Sequence, residues 1–145
     1  MIKDRISKNF GFSEFENSDT ARDFGIDNTI LSEDIRESIR ALVTNVLQPL
    51  RDAVGESLHI NSGYRCERLN RAVGGVSTSQ HTKGEAADVR CARPYKLAQL
   101  AYDLGLPYDQ MILYPNFVHF SHRRQGEQRK QVLYSRNYRG WKIKE

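Results

Sequence analysis

Hydrophobic positions recur at helical spacing over one long stretch of the chain, from Ser32 to Gly55. Ser32 is typical of an N-cap, Glu33 and Asp34 suit a first helical turn, and Gly55 is a typical stop. The pattern predicts a core-facing stripe formed by Ile35, Ile39, Leu42, Val43, Val46, Leu47 and Leu50. Pro49 is expected to kink or end this helix.

Shorter apolar segments in the rest of the chain predict strands: LHINSGYR, EAADVR, DQMILY, FVHFSH and QVLYSR. Pro115–Asn116 supplies a turn between the third and fourth of these. Helices are expected at Glu67–Ala72 and at Tyr95–Leu104, the second ending near Gly105. Strands dominate the second half, and the helices are grouped before and between them. This order favours an α+β fold, an antiparallel sheet with helices packed on one side, over a doubly wound parallel fold.

The chain has 145 residues and shows no internal repeat or linker, which predicts a single domain over residues 1–145. Residues 1–31 are expected to wrap the domain. Net charge is +4, but residues 123–145 carry eight lysines and arginines against two glutamates. This basic C-terminal segment therefore carries a net charge of +6, and the rest of the chain carries −2. A solvated face is the ordinary interpretation of such a run.

Several classes of protein are not supported by the composition. No apolar run approaches the length of a membrane span, and no nucleic-acid recognition motif accompanies the basic segment, so no nucleic acid is expected. The first residues, MIKDRISKNFGFSEF, lack the apolar region of a secretory signal. We therefore expect synthesis in the cytoplasm, with another route of delivery if the substrate lies outside. Cys66 and Cys91 are interpreted as free thiols, with a single disulfide as the alternative.

The segment Ser79–Arg90, SQHTKGEAADVR, carries the chemistry. Alternation along a strand puts Ala86 and Asp88 on one face, with Ala87 and Val89 turned to the core. Gly84 permits a backbone reversal that brings the imidazole of His81 toward Asp88. The small residues thus leave space between an imidazole and a carboxylate, both of which are zinc ligands.

A third ligand has to come from elsewhere, and the chain has four histidines: His59, His81, His119 and His122. In FVHFSH, alternation separates His119 from His122, so only one of them faces a common metal ion. We choose His119, which lies in mid-strand. Two histidines, one aspartate and an open position are typical of a catalytic zinc site. The alternative is a pair of hydrogen-bonded histidines that tie loops together.

Four segments resemble the zinc D-alanyl-D-alanine carboxypeptidase family: SGYR, LNRAVGG, SQHTKGEAADV and DQMILYPNFVHFS. The resemblance is closest to its phage-lysin-like branch, which hydrolyses peptide bonds of bacterial peptidoglycan, and it covers about Phe10 to Ser121. The pattern S-x-H-x-x-G-x-A-x-D is its most specific part. The resemblance implies a compact α+β fold shared with hedgehog signalling domains, and zinc held by His81, Asp88 and His119.

The resemblance also places Arg65 at the substrate, where a guanidinium can grip a carboxylate or steady an oxyanion. The implied reaction is metal-assisted amide hydrolysis, in which zinc acidifies water and polarises the scissile carbonyl while an acid/base group moves protons. Family members usually place a glutamate shortly before the final histidine, but ILYPNFVH contains no acid. Tyr114 is our first candidate for that role. Glu85 is the second, although alternation points it away, and Asp109 lies at the far end of its strand.

The sequence therefore predicts a zinc metallopeptidase acting on peptidoglycan stem peptides, as a D-Ala-D-Ala carboxypeptidase or a cross-link endopeptidase. One alternative is a catalytically weak or inactive zinc-containing module that binds the cell wall; another is a phage or mobile-element component. His59 is interpreted as a surface or hydrogen-bonded residue, and His122 as a neighbour of the metal or an exposed side chain. Tyr138 and Trp141 either stack on sugar rings or pack back on the domain.

Overall fold

A computed structural model describes residues 4–145, and a five-stranded sheet lies at its centre. Its strands are β1 (His59–Ser62), β2 (Ala86–Arg90), β3 (Gln110–Leu113), β4 (Phe117–Ser121) and β5 (Gln131–Tyr134), in the spatial order β1-β2-β4-β3-β5. The pairs β1–β2, β2–β4 and β3–β4 are antiparallel, and β3–β5 is parallel. The predicted α+β class is confirmed.

The parallel strand β5 is a departure from a purely antiparallel sheet. After β4 the chain passes β3 and pairs with the far edge of β3. A strand that runs opposite to β4 but lies beyond β3 has to run in the same direction as β3. The sequence pattern of QVLYSR predicted the strand itself but carries no information on this skipped neighbour.

The helices are α1 (Phe12–Glu16), α2 (Asp19–Phe24), α3 (Glu33–Leu42), α4 (Gln48–Val54), α5 (Glu67–Ala72) and α6 (Pro94–Asp103). A π-helical turn, Val43–Leu47, joins α3 to α4, and a 3₁₀ turn, Gln80–Lys83, precedes β2. The bounds of α5 and α6 lie within one residue of those predicted. Across residues 4–145, no helix combines the length and the apolar character needed to cross a membrane.

The long helical stretch begins and stops where the sequence indicates. The Ser32 hydroxyl accepts a hydrogen bond from the Ile35 N–H, and Gly55 ends α4 in the left-handed conformation, at φ 71°. Pro49, however, does not end the helix. It lies in the first turn of α4, directly after the π turn, in which the Gln48 N–H bonds to the Val43 carbonyl five residues back. A wider turn of this kind accommodates the proline ring.

One face of the sheet is the core. Strand alternation turns a fully buried set toward the helices: Ala87, Val89, Met111, Leu113, Val118 and Phe120. The opposite face carries Asp88, Ile112 and His119, and it is more accessible to solvent. The sheet therefore presents chemistry on one side while the other side supplies hydrophobic stability.

The N-terminal segment, described from Asp4 onward, packs on the domain and braces one functional loop. It contributes three buried aromatic side chains, Phe10, Phe12 and Phe15. Two short helices of this segment, α1 and α2, were not predicted from the sequence. The amide of Asn28 donates to the Tyr64 carbonyl at 2.9 Å and accepts from the Cys66 N–H at 2.8 Å. These bonds hold the backbone on both sides of Arg65.

Asp109 ties two further loops together at the start of β3. Its side chain is fully buried, and it accepts hydrogen bonds from the Arg129 guanidinium, 2.7 Å away at the closest, and from Gln80 Nε2 at 3.2 Å. Arg123 Nε lies 3.4 Å from the same carboxylate. Burial alone would raise the pKa of Asp109, but Arg129 and Arg123 lower it below its usual value. Because Gln80 precedes His81, this carboxylate links the C-terminal segment to the 3₁₀ turn.

We expect Asp109→Asn to lower the free energy of unfolding at pH 7 by roughly 2–3 kcal/mol, because it weakens charge-assisted hydrogen bonds to a buried group. The folded-state pKa is depressed below the unfolded value of about 3.9. The stabilisation is therefore complete above that value and is lost as pH falls through the folded pKa. Urea unfolding at pH 7 and at pH 3 measures both effects, and the difference between the proteins should narrow at pH 3.

Asp23→Asn is the matched control, since Asp23 is exposed on α2. This substitution should change the free energy of unfolding by no more than about 0.5 kcal/mol. An Asp109→Asn variant as stable as wild type at pH 7 would contradict a structural role for this carboxylate.

Candidate metal centre

The three predicted zinc ligands come from three different elements. His81 lies in the 3₁₀ turn, Asp88 in the middle of β2 and His119 in the middle of β4. Asp88 and His119 are direct partners in the antiparallel register, so their side chains leave the same face of the sheet. Asp88 Oδ1 lies 2.9 Å from His119 Nδ1 and 3.4 Å from His81 Nε2. One ligand atom from each residue lies within 4.8 Å of the other two.

Gly84 makes the approach of His81 possible. It ends the 3₁₀ turn in the left-handed conformation, at φ 74°. A Cβ at this position would also lie 2.8 Å from the Ile35 carbonyl oxygen in α3. A side chain is therefore disfavoured both by the backbone conformation and by the neighbouring helix. The reversal of the chain between His81 and β2 is the one expected from the sequence.

The His81 ring is held in one orientation by the main chain. Its Nδ1 lies 2.7 Å from the Gly63 carbonyl oxygen, and because a carbonyl only accepts, Nδ1 carries the proton. Nε2 is then the nitrogen with a free lone pair, and it faces Asp88. The Arg65 N–H bonds in return to the His81 carbonyl at 3.1 Å. An acceptor behind a ligating histidine is the usual way in which proteins fix its tautomer and direction.

Asp88 is ionised in this setting. Burial alone would raise the pKa of the carboxyl group, but the neighbouring side chains of His119 and His81 more than offset this effect and lower the pKa well below its usual range. Its Oδ2 also lies 3.9 Å from Arg65 Nη2. The carboxylate is thus available as an anionic ligand.

The donor set fits zinc. Two imidazole nitrogens and one carboxylate oxygen are ligands that Zn²⁺ accepts, and three protein ligands leave one position of a tetrahedron for water or substrate. Ligands of a tetrahedral zinc lie about 3.3 Å apart, so the 2.9 and 3.4 Å separations need little adjustment. The side chains of His81, Asp88 and His119 are only 4%, 13% and 12% exposed, which keeps bulk water from competing for them.

Arg65 is fixed beside this cluster. Its Nε donates to the Ser62 hydroxyl at 3.2 Å and its Nη1 to Asn70 Oδ1 at 3.0 Å. A Cβ at Gly75 would lie 2.1 Å from that Asn70 oxygen, so the second glycine of LNRAVGG is needed for this approach. Within residues 4–145, Nη2 makes no hydrogen bond, and it points to the side of Asp88. The guanidinium is therefore oriented with one donor group free.

Tyr114 belongs to the same neighbourhood. It lies in the β3–β4 turn, and its ring stacks on Phe117 with centroids 4.3 Å apart. Burial raises the pKa of its hydroxyl, the charge of Asp88 raises it further, and Arg65 opposes them. The phenol is accordingly protonated at neutral pH and acts as a hydrogen-bond donor rather than as a base.

The other acids considered for proton transfer are engaged elsewhere. Glu85 Oε1 accepts from Gln80 Nε2 at 3.3 Å, and its Oε2 accepts from the Arg124 N–H at 3.2 Å. The alternative in which Glu85 reaches the metal is therefore wrong for this structure. Asp109 serves the buried network already described.

The remaining histidines and the cysteines lie outside the cluster. His59 is exposed on β1, as predicted. His122 is buried rather than exposed, burial lowers the pKa of its imidazole, and its Nδ1 has no hydrogen-bond partner within residues 4–145. Cys66 and Cys91 are free thiols, as favoured from the sequence, and burial raises the pKa of Cys91 to about 11.

Sequence reasoning missed the residues that support the cluster. Ser62 and Gly63 were visible only as part of SGYR, and Asn70 only as part of LNRAVGG. Their role depends on contacts across the fold, with His81 for Gly63 and with Arg65 for Ser62 and Asn70. Close spacing of small and polar residues around Arg65 was the available signal.

We expect the purified protein to bind one zinc ion per chain, and His119→Ala to weaken zinc affinity by at least about 100-fold, because a ligand is lost. Metal analysis with chelator competition measures this. His59→Ala is the matched control, since it removes an imidazole from an exposed position. Thermal unfolding of each variant separates ligand loss from unfolding. Wild-type zinc affinity in a folded His119→Ala protein would contradict this ligand set.

Comparison with known proteins agrees with this geometry. The peptidase M15 family matches residues 8–121, a range that holds Arg65, Tyr114 and all three ligands and ends with the last residue of β4. No curated protein matches the chain. Because the family match covers most of the chain and the His–Asp–His cluster lies within it, the chain belongs to the peptidase M15 family, whose members are zinc-dependent peptidases.

Proposed function

We propose that this peptidase hydrolyses peptide bonds of bacterial peptidoglycan, as a D-alanyl-D-alanine carboxypeptidase or as an endopeptidase of the cross-link. The observation that carries the proposal is the placement of Arg65 and Tyr114 beside the His81–Asp88–His119 cluster on the accessible face of the sheet. The family match supports a peptide substrate. Action on peptidoglycan would place its work in the cell wall.

Zinc, when bound by His81, Asp88 and His119, supplies a Lewis acid and an acidified water. The protein contributes the orientation of these ligands. The register between β2 and β4 places Asp88 directly opposite His119. The Gly63 carbonyl holds the ring of His81 in one orientation. No rearrangement of the sheet is needed to bring the three side chains together.

Arg65 contributes a fixed positive charge. Ser62 and Asn70 occupy two of its nitrogens and leave Nη2 directed to the side of Asp88. A pre-oriented guanidinium stabilises negative charge that develops on a carbonyl oxygen, or binds a substrate carboxylate. The second use favours a carboxypeptidase, because the terminal residue of its substrate carries a carboxylate.

Tyr114 contributes a proton donor. Its raised pKa keeps the hydroxyl protonated, and stacking on Phe117 limits its movement. A neutral phenol can donate a hydrogen bond to the developing oxyanion or a proton to the leaving amine. A protonated phenol cannot act as a base at neutral pH. Tyr114 therefore replaces only the proton-donating part of the role that a glutamate has in other family members.

The surface next to the cluster suits small alkyl side chains. The register continues from His119 to Ile112 on β3 and from there to Leu133 on β5, all on one face. Leu133 is 41% exposed and Ile112 is partly exposed. An accessible apolar strip beside the cluster favours methyl groups such as those of alanine residues, and an open face admits a polymer.

A second candidate function is a zinc-containing module that binds the cell wall and cleaves it poorly. The engagement of Glu85 and Asp109 away from the cluster favours it, because no replacement base is then supplied by either acid.

Incubation of the zinc-loaded protein with purified peptidoglycan tests the proposal. We expect new amino termini with release of D-alanine or of un-cross-linked stem peptides, detected by mass spectrometry. A chelator should abolish the products and added zinc should restore them. Binding to the wall without products would favour the second candidate.

We expect Tyr114→Phe to lower kcat by roughly 100-fold, since a single oxyanion or proton donor is worth about that factor. Zinc content should remain at one per chain, because Tyr114 is not a ligand. Phe117→Leu is the companion variant that loosens the stacked ring but keeps the hydroxyl, and its effect on kcat should be smaller. Unchanged turnover in Tyr114→Phe would remove this hydroxyl from the mechanism.

A further inference from the structure

A pocket of about 380 Å³ lies beside the β3–β4 turn, separate from the zinc cluster. Its walls come from the start of α6 (Arg93 and Tyr95), from the turn (Pro115) and from the C-terminal segment (Tyr138 and Arg139). The C-terminal segment lies beyond residues 8–121, the part matched by the peptidase family. This wall is therefore a feature of this chain that the family match does not explain.

Two arginines, Arg93 and Arg139, belong to the pocket lining, and no acidic residue does. Neither arginine forms a salt bridge within the part of the chain described, residues 4–145. Arg139 Nη1 is held instead by the Arg136 carbonyl at 2.9 Å, which fixes its direction without neutralising it. The whole segment 123–145 carries +6, which adds an attractive field for anions.

Aromatic surfaces accompany the charge. Tyr95 and the largely buried Tyr138 belong to the walls, and Trp141 packs edge-on against Tyr95 with centroids 5.4 Å apart. Trp141 remains 70% exposed. An exposed indole ring beside arginine side chains is a surface on which another ring can pack. The C–H-rich face of a sugar ring packs on such rings by burial and dispersion.

The segment that carries these rings is fixed before any ligand arrives. The Tyr138 hydroxyl donates to the Trp141 carbonyl, and the Ile143 N–H donates to the Tyr134 hydroxyl at 2.8 Å. The Lys144 N–H donates to Gln99 Oε1 on α6 at 2.8 Å. Binding would therefore cost little ordering of the chain, which raises affinity.

The pocket lies at the end of the sheet where the β3–β4 turn carries Tyr114. Pro115 directly follows Tyr114, and Phe117, which stacks on Tyr114, lies on the same face of β4 as His119. Two residues along a strand span about 7 Å. One wall of the pocket is therefore formed by the residue that follows Tyr114 in the turn.

We propose that this pocket is a subsite for the acidic glycan–peptide chain of peptidoglycan. Sugar rings pack on Tyr95 and Trp141, and stem-peptide carboxylates pair with Arg93 and Arg139. Peptidoglycan carries both groups in one polymer. The inference rests on the proposed function for its choice of polymer, but the pocket binds whether or not a bond is cleaved.

The test is co-sedimentation with purified peptidoglycan sacculi stripped of phosphate polymers, at low temperature and over a range of salt concentrations. We expect Arg93→Ala/Arg139→Ala to weaken binding about tenfold, since two charge-assisted contacts are lost. Arg93→Lys/Arg139→Lys should recover part of the affinity, because it keeps the charge but not the planar fork. Zinc content and thermal midpoint show that each variant is folded.

Lys8→Ala/Arg68→Ala is the matched control, since it removes the same charge from two exposed residues outside the pocket. It should bind stripped sacculi like wild type. Equal binding by Arg93→Ala/Arg139→Ala and wild type overturns the subsite. A difference seen only on unstripped walls also overturns it, because the ligand is then a phosphate polymer.

Single-stranded DNA is the competitor of another class. Tighter binding to an oligonucleotide than to sacculi, lost in Arg93→Ala/Arg139→Ala, would assign the pocket to nucleic acid and overturn the proposal. Failure of the proposed function is seen separately, as absence of cleavage by wild type. Co-sedimentation still tests whether the pocket binds peptidoglycan in that case, because it measures binding and not products.

Discussion

The register between β2 and β4 is the constraint on which the site depends. Asp88 stands opposite His119, so a carboxylate and an imidazole share one face without help from a loop. A slip of one residue would turn one of them into the core, where Val89 and Val118 are fully buried. The hydrophobic face of the sheet therefore secures the chemical face, because the same alternation sets both. His81 completes the cluster from a turn that Gly84 allows.

Around this rigid pair, the supports come from distant parts of the chain. The N-terminal segment holds the loop of Arg65 through Asn28, and the buried carboxylate of Asp109 links the C-terminal segment to the turn of His81. Ser62 and Asn70 orient the guanidinium. Arg65 and His81 are thus fixed by hydrogen bonds to elements other than their own. Such pre-orientation reduces the reorganisation required in the transition state.

Local patterns predicted the strands, the long helical stretch and the three side chains that come together, whereas features that depend on long-range pairing were not predicted. Alternation was enough to choose His119 over His122, and capping residues predicted both ends of the helical stretch 33–54. The persistence of that helix through Pro49 depends on a π turn, for which VTNVL gives no signal. The parallel direction of β5 and the engagement of Asp109 by Arg129 depend on which segments meet in space. The short helices α1 and α2 are too brief for a clear period.

The acceptor behind His81 is a main-chain oxygen, that of Gly63, and this has a consequence for how the ion is held. No side-chain replacement deletes it; it is displaced only when the backbone moves. Gly63 packs so tightly on Phe15 that a Cβ would lie 2.7 Å from the phenyl ring and 2.8 Å from its Cα. The affinity for zinc therefore depends on how closely α1, which carries Phe15, packs on Gly63. Fraying at that end would therefore weaken zinc binding even while the strands are still paired.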